Sequence, residues 1–240
     1  MPYSALKAEH TQKKAASMTD MTVVFDLDGT LIDTAPDLVA SLNHVISYDG
    51  LEPLTYDDLT YLVGHGARVM IERAFTLRGV HLAPARHNEM LEDFITHYRK
   101  NMPGKSQPYP GLVEALHRLS EAGITLAVCT NKMESLARPL LAELKMDHMF
   151  SAITGGDSFS VRKPDARHLL ETIRLAQGVP EKAIMIGDSL NDILVARNAQ
   201  VRSVAVPFGY SDVPVEDLEP DHILTHFNQL TPNLVKQLLG

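Results

Sequence analysis

The chain has 240 residues, of which 45% are hydrophobic and 22% are charged, and its formal net charge is −8. These values are typical of a globular protein and argue against a disordered chain, a general nucleic-acid-binding protein or one that adheres to anionic membranes. The single cysteine, Cys129, cannot form an internal disulfide, so we expect a reducing, cytoplasmic location. No apolar run approaches the roughly 20 residues that span a bilayer.

The first twenty residues are polar and contain lysines but no continuous apolar segment. This pattern is not that of a secretory signal. We treat residues 1–20 as an extension of unknown role and expect the folded core to begin at residue 21.

The first predicted strand, Thr22–Phe25, runs directly into two aspartates, Asp26 and Asp28. The period of two along a strand places both carboxylates on the same side if the strand continues. Two adjacent carboxylates repel unless a cation or a shared proton separates them, and oxygen donors of this kind favour Mg²⁺. The other interpretation is a polar turn, because Asp-x-Asp-Gly is also a good turn sequence.

The next region, residues 36–103, has helical periodicity and no convincing strand. Its predicted helices are Asp37–Ser47, Tyr56–Val63, Ala67–Leu77 and Ala85–Lys100. The chain returns through Pro103–Gly111, whose proline and glycine content is typical of a hinge or linker. We therefore predict an all-helical cap domain, residues 36–103, inserted into an α/β core domain made of residues 21–35 and 104–240.

Apolar runs in the second half predict three more strands: Ile124–Thr130, Ala183–Asp188 and Val201–Val206. Helical patterns alternate with them at Gly111–Ala122, Met133–Leu144, Asp165–Ala176 and Leu190–Asn198. Such alternation predicts a parallel sheet with helices on both faces. Ligands bind at the carboxyl ends of the strands in these sheets, and here those ends carry Asp26, Thr130 and Asp188.

Other polar residues near the strand ends are suited to a single phosphate group. Thr130 and Asn131 offer a hydroxyl and an amide for phosphoryl oxygens, although a simple turn also explains them. Lys163 precedes a predicted helix and could neutralise phosphate charge, although most lysines are solvated surface groups. Asp188 and Asp192 are four residues apart and share a helix face, and N-terminal capping explains only one of them.

Four motifs occur in order, beginning at Asp26 (Asp-x-Asp-Gly-Thr-Leu), Thr130 (Thr-Asn), Lys163 (Lys-Pro) and Gly187 (Gly-Asp-Ser-x-x-Asp). This set resembles the haloacid dehalogenase superfamily from about Met21 to the C-terminus. The resemblance implies a Rossmann-like parallel sheet core with a helical cap, and a Mg²⁺-dependent phosphatase. Four shorter segments resemble the bacterial phosphoglycolate phosphatases, and this resemblance implies 2-phosphoglycolate as the substrate. The segments are Thr34–Leu38, Val63–Ala67, Thr130–Lys132 and Gly155–Asp157.

The same resemblance implies a role for each motif residue. Asp26 would attack phosphorus and form a phosphoaspartate, while Asp28 would protonate the leaving alcohol and then activate water. Mg²⁺ would be held by the Asp26 carboxylate, the main-chain carbonyl of Asp28 and the carboxylate of Asp188, with Asp192 supporting them from behind. The groups implied to bind the phosphoryl oxygens are Thr130, Asn131 and Lys163.

Substrate choice is expected to reside in the helical insert. Arg68 could pair bidentately with the carboxylate of a phosphorylated acid, whereas an exposed arginine on a helix surface is the other interpretation. The expected partner is a small phosphorylated metabolite, and the expected assembly is a monomer or a homodimer.

Three kinds of function stay open. The first is a phosphatase for 2-phosphoglycolate, another small phosphorylated metabolite or pyrophosphate. The second is a sugar-phosphate mutase of the β-phosphoglucomutase type, which would return the phosphate to sugar. The third is a non-catalytic binding module, which the presence of Asp28 beside the nucleophile disfavours.

Overall fold

The computed structural model describes residues 20–56, 58, 62 and 66–240. Most of the predicted helix Tyr56–Val63 and nearly all of the N-terminal extension lie outside this part of the chain.

A parallel sheet is the centre of the described structure. The strands are β1 (Thr22–Phe25), β2 (Ile32–Asp33), β3 (Gln107–Pro108), β4 (Thr125–Cys129), β5 (Ala152–Thr154), β6 (Ala183–Gly187), β7 (Arg202–Ala205) and β8 (His222–Ile223). Six of them form one sheet in the order β5-β4-β1-β6-β7-β8, and every pair of neighbours is parallel. β2 and β3 form a separate antiparallel pair.

Helices follow the strands in the alternation that the sequence predicts. They are α1 (Ala35–Ile46), α2 (Ala67–Leu77), α3 (Pro84–Asn101), α4 (Leu112–Glu121), α5 (Glu134–Glu143), α6 (Ala166–Leu175), α7 (Leu190–Asn198) and α8 (Pro232–Leu239). The predicted α/β fold with a parallel sheet is confirmed. Sequence reasoning missed β2, β3, β5 and α8, because the three strands have only two or three residues and the helix follows a polar segment.

Both faces of the sheet are buried, as the apolar strands require. Alternation along β1 sends Val23 and Phe25 to one face and Val24 to the other. Helices α4, α5 and α8 cover the first face, and α6 and α7 cover the second. Among the described residues, none of the helices combines the length and hydrophobicity that a bilayer-spanning segment needs.

Helices α1, α2 and α3 pack on one another and share a hydrophobic cluster of their own. Leu42 of α1, Ile71 of α2 and Phe94 of α3 are almost completely buried in it. Leu136 of α5 and Tyr210 join the same cluster, so the three helices rest on the carboxyl edge of the sheet. The division of the chain into a core and a cap at residues 36–103 stays a prediction, which this packing supports.

Candidate active site

The site lies where β1, β4 and β6 end side by side. Phe25 of β1 pairs with Val128 of β4 and with Ile186 of β6, so the residues that follow these strands meet at one edge. The structure thus brings together Asp26, Thr130 and Asp188, and all three are buried.

Lys163 is the central cation of the site. It is 3% exposed, and its Nζ lies 2.8 Å from Oδ1 of Asp26 and 2.6 Å from Oδ1 of Asp192. Burial disfavours its charged form, but the carboxylates of Asp192 and Asp26 outweigh that effect and raise the pKa of Lys163. Lys163 is therefore a permanent positive charge beside the predicted nucleophile.

Asp188 is held by donors from two other parts of the chain. Its Oδ1 accepts a hydrogen bond of 2.7 Å from the Thr30 hydroxyl, and its Oδ2 accepts one of 2.8 Å from the main-chain N–H of Tyr210. Gly29 has a φ of +82°, and a β-carbon there would collide with the Asp188 carboxylate. Gly29 therefore has two roles in the Asp-x-Asp-Gly sequence. It permits the turn after β1, and it lets this turn lie close to Asp188 at the end of β6.

Asp26, Asp188 and Asp192 form a buried cluster in which one carboxylate oxygen of each lies within 4.8 Å of the others. Burial away from water raises the pKa of Asp26 and of Asp188, and repulsion from the neighbouring carboxylates raises it further. Lys163 offsets part of this negative charge, and a divalent cation would balance the rest. Oxygen donors in a buried cluster with excess negative charge fit Mg²⁺.

The three carboxylates are not equally available to a metal. Asp192 is held by three donors and Asp188 by two, because Oδ1 of Asp192 binds Lys163 and its Oδ2 accepts hydrogen bonds of 3.0 Å and 2.6 Å from the N–H and hydroxyl of Ser189. The bond from the Ser189 N–H is one half of a capping box at the start of α7. The arrangement places Asp192 behind the pair formed by Asp26 and Asp188.

The side chain of Asp28 lies outside this cluster. Its carboxylate accepts hydrogen bonds of 3.0 Å and 3.2 Å from Nζ of Lys132 and one of 2.8 Å from the Thr34 hydroxyl. Lys132 also donates to the Tyr98 hydroxyl over 3.1 Å. The metal-binding group predicted for Asp28 is its main-chain carbonyl, and that assignment stays a prediction.

The predicted phosphoryl-binding residues lie in the loops beside the cluster. The Thr130 hydroxyl accepts a hydrogen bond of 3.2 Å from the N–H of Lys132, and both residues are buried. The Asn131 amide donates to the main-chain carbonyl of Lys163 over 3.1 Å. Asn131 therefore joins the loop after β4 to the loop that carries Lys163.

A cavity of about 40 Å³ lies between the sheet edge and helices α1 to α3. Its polar wall is formed by Asp26, Asp28, Thr130, Asn131 and Lys132. Its apolar wall includes Leu38, Met70, Phe94 and Leu136.

Arg68 does not line this cavity. Its side chain is exposed on α2 and donates a hydrogen bond of 2.9 Å to Asn88 on α3. The structure therefore does not bring Arg68 to the other predicted site residues, because its position on the helix points it to the surface between α2 and α3.

Sequence reasoning missed Lys132 and Tyr98 as parts of this site. Lys132 stood within a recognised Thr-Asn-Lys match, but a lysine is usually exposed and this one is buried. Tyr98 carried no local signal beyond the apolar face of its helix. Periodicity identifies a buried face and cannot say which distant residue it meets.

The fold and the site define an α/β protein in which carboxylates, a lysine and a hydroxyl converge at the edge of a parallel sheet. A family model described as haloacid dehalogenase-like hydrolase matches residues 23–206. The chain belongs to the haloacid dehalogenase-like hydrolase family.

Relatives that match almost the whole chain carry a more particular name. A phosphoglycolate phosphatase of Agrobacterium fabrum is 61% identical over 90% of this chain and 93% of its own length. Another of that name, from Mesorhizobium japonicum, is 48% identical over 92% of this chain and 98% of its own length. The crystal structure of a protein from Haemophilus somnus, described as a predicted phosphoglycolate phosphatase, has a TM-score of 0.83 and 29% identity, covering 91% and 98% of the two chains.

Proposed function

We propose that the protein is a phosphatase that hydrolyses 2-phosphoglycolate to glycolate and phosphate through a phosphoaspartate on Asp26. The observation that carries the proposal is the buried pair of Lys163 and Asp26 at the end of β1, beside a second carboxylate, Asp28. The relatives named phosphoglycolate phosphatase support the choice of substrate.

Asp26 is the nucleophile in this proposal. Lys163 lies 2.8 Å from its Oδ1 and stabilises the ionised carboxylate that must attack phosphorus. The new bond joins a carboxylate oxygen of Asp26 to phosphorus while the bond from phosphorus to the substrate alcohol breaks. Water then attacks the phosphoaspartate, which returns the carboxylate and releases inorganic phosphate.

Asp28 is the acid and base. It would give a proton to the departing alcohol oxygen and later take one from the attacking water. In the present arrangement its carboxylate is bound to Lys132 and Thr34. Asp28 must therefore leave these partners before it can reach an oxygen bound near Asp26.

We assign Mg²⁺ to the carboxylates of Asp26 and Asp188 and the main-chain carbonyl of Asp28, with Asp192 supporting them through its bonds to Lys163 and Ser189. A bound Mg²⁺ would neutralise charge on the phosphoryl group and orient it toward the nucleophile. Thr130, Asn131 and Lys163 would hold the remaining phosphoryl oxygens, because Thr130 and Asn131 line the cavity and Lys163 lies against Asp26 in its wall.

Residues 36–103 act as a cap in this proposal. Their helices α1 to α3 form the apolar wall of the cavity, opposite Asp26 and Asp28. Movement of these helices away from the sheet edge would admit the substrate, and their return would exclude water from the reacting groups.

We further propose that the protein works in the cytoplasm, as a monomer or homodimer, without nucleic-acid or membrane partners. The net charge of −8 and the buried, unpaired Cys129 support this environment.

The test measures inorganic phosphate release by the full-length protein with Mg²⁺ from 2-phosphoglycolate, hexose phosphates, nucleotides and pyrophosphate. We expect the highest kcat/KM for 2-phosphoglycolate, and a loss of at least about 1,000-fold in Asp26→Asn, because an amide is not a nucleophile here. Isomerisation of β-glucose 1-phosphate without phosphate release would favour the mutase instead. Substantial Mg²⁺-dependent turnover by Asp26→Asn would refute the mechanism.

A further inference from the structure

Lys132 is a buried cation that the proposed phosphoryl chemistry does not use. It lies between β4 and α5, lines the cavity, and its side chain is only 5% exposed. Its Nζ contacts both oxygens of Asp28, at 3.0 Å and 3.2 Å, and the hydroxyl of Tyr98 at 3.1 Å. A lysine in this position faces the space where the substrate must bind.

The surroundings of Lys132 require an anionic partner. The helices present apolar side chains to the cavity, among them Leu38, Met70 and Phe94. An ammonium in such a place is costly without a hydrogen-bonded counter-charge, and Asp28 provides one in this arrangement. If Asp28 turns toward the leaving oxygen, another anion must take its place at Lys132.

We propose that Lys132 binds the carboxylate of the substrate and thereby releases Asp28 for acid and base work. This inference rests on the proposed function, since it assumes a phosphorylated carboxylic acid as substrate. The substrate carboxylate replaces the carboxylate of Asp28 beside the ammonium of Lys132, so Lys132 keeps one negatively charged partner. A phosphate ester that lacks a carboxylate leaves Lys132 paired with Asp28 and the acid withdrawn.

Tyr98 is a positioning residue in this scheme. It belongs to α3, and its hydroxyl holds the same ammonium that Asp28 contacts. The ring also lies under Lys132, with Nζ 4.3 Å from its centroid. A carboxylate seated on Lys132 would therefore lie against α3 and favour the closed position of the helices.

The other candidate cations are less suited to this role. Lys163 is already bound to Asp26 and Asp192. Arg68 is exposed and bonded to Asn88 on the outer surface of α3. Lys132 combines burial, a place in the cavity wall and an anionic partner that has to move.

The experiment compares two substrates that differ in one group: 2-phosphoglycolate and its amide, 2-phosphoglycolamide. The ratio of their kcat/KM values, measured with Mg²⁺ on the full-length protein, reports recognition of the carboxylate. In Lys132→Met we expect this ratio to fall about 10- to 100-fold, the effect of losing one charged hydrogen-bonded pair. Arg68→Met tests the rival carboxylate site, and Lys100→Met, at an exposed lysine of α3, is the matched control; both ratios should equal that of the wild type.

Each other outcome has a definite meaning. An equal loss on both substrates in Lys132→Met would show that Lys132 only positions Asp28, and a fall confined to Arg68→Met would assign the carboxylate to Arg68. Should Lys132→Met fail to fold, Lys132→Gln retains hydrogen bonding without charge and must show the same fall in ratio. A wild-type ratio near one, with rapid hydrolysis of 2-phosphoglycolate, would overturn the role of Lys132 alone. Absence of 2-phosphoglycolate hydrolysis by the wild type would overturn the proposed substrate, so the two failures are distinguishable.

Discussion

At the scale of single residues, Lys163 depends on a histidine that takes no part in the proposed chemistry. His168 is completely buried on α6, and its Nδ1 accepts a hydrogen bond of 3.2 Å from the main-chain N–H of Lys163. The proton of the neutral ring is therefore on Nε2, which lies 3.3 Å from the Thr154 hydroxyl. The ring thus supports the loop from which Lys163 reaches Asp26.

We predict that His168 makes stability depend on pH. Burial, with the charge of Lys163, lowers the pKa of His168 from 6.5 to about 4. The unfolded chain therefore binds a proton between these values while the folded protein does not, and the free energy of unfolding falls as pH decreases from 6.5 to 4. Urea unfolding should show that the wild type loses up to about 3 kcal/mol more than His168→Asn over this interval.

The exposed His148 offers a control for this measurement, since His148→Asn should follow the wild-type pH dependence. Parallel curves for the wild type and His168→Asn would contradict the prediction.

At the scale of elements, α1 is tied to the segment by which the chain returns to the sheet. Asp37, in the first turn of α1, accepts hydrogen bonds of 3.0 Å from the N–H of Lys105 and 2.8 Å from that of Ser106. The Ser106 hydroxyl donates a further bond of 2.5 Å to the same carboxylate. One carboxylate thus joins the outgoing and returning connections of the three helices.

We predict that Asp37→Ala lowers the free energy of unfolding by about 1–3 kcal/mol, because it removes the acceptor of the Lys105 N–H and of the Ser106 hydroxyl. The same change should raise KM for 2-phosphoglycolate, since the helices that cover the cavity lose the hydrogen bonds that join α1 to Lys105 and Ser106. Denaturant unfolding and steady-state kinetics measure the two effects. Asp93→Ala, an exposed position on α3, is the control, and an equal response of both variants would count against the prediction.

At the scale of the whole molecule, the carboxylate cluster connects elements that are far apart in the chain. Asp26 follows β1, whereas Asp188 and Asp192 lie at the junction of β6 and α7. A cation that binds these groups binds the folded chain and not the unfolded one, because unfolding separates them. Binding therefore adds to global stability.

We predict that Mg²⁺ at about 100 times its dissociation constant stabilises the protein by about 2.7 kcal/mol. For a chain of this size the melting temperature should rise by roughly 5–10 °C. Thermal unfolding with and without Mg²⁺ measures the shift, which Asp188→Asn should abolish. Asp147→Asn, at an exposed position, should retain it, and a shift that survives in Asp188→Asn would place the metal elsewhere.

The α/β alternation, the strand β1 and the acidic turn after it were all predictable from the amino-acid sequence. Apolar runs and helical periodicity are local properties, and the rule that parallel strands expose ligands at their carboxyl ends brings Asp26, Thr130 and Asp188 together without coordinates. Lys163 also followed from an ordered motif. These inferences depend on patterns among residues that are close together in the sequence and on the general arrangement of parallel strands.

Which cation faces the cavity follows from the packing of distant elements. The sequence analysis proposed Arg68 and not Lys132, but Arg68 is directed to the outer surface and Lys132 inward to Asp28, 104 residues away in the chain. The Thr30–Asp188 bond spans 158 residues and depends likewise on the order of strands in the sheet. Pairings of this kind depend on packing between distant elements, and no local pattern in the sequence encodes them.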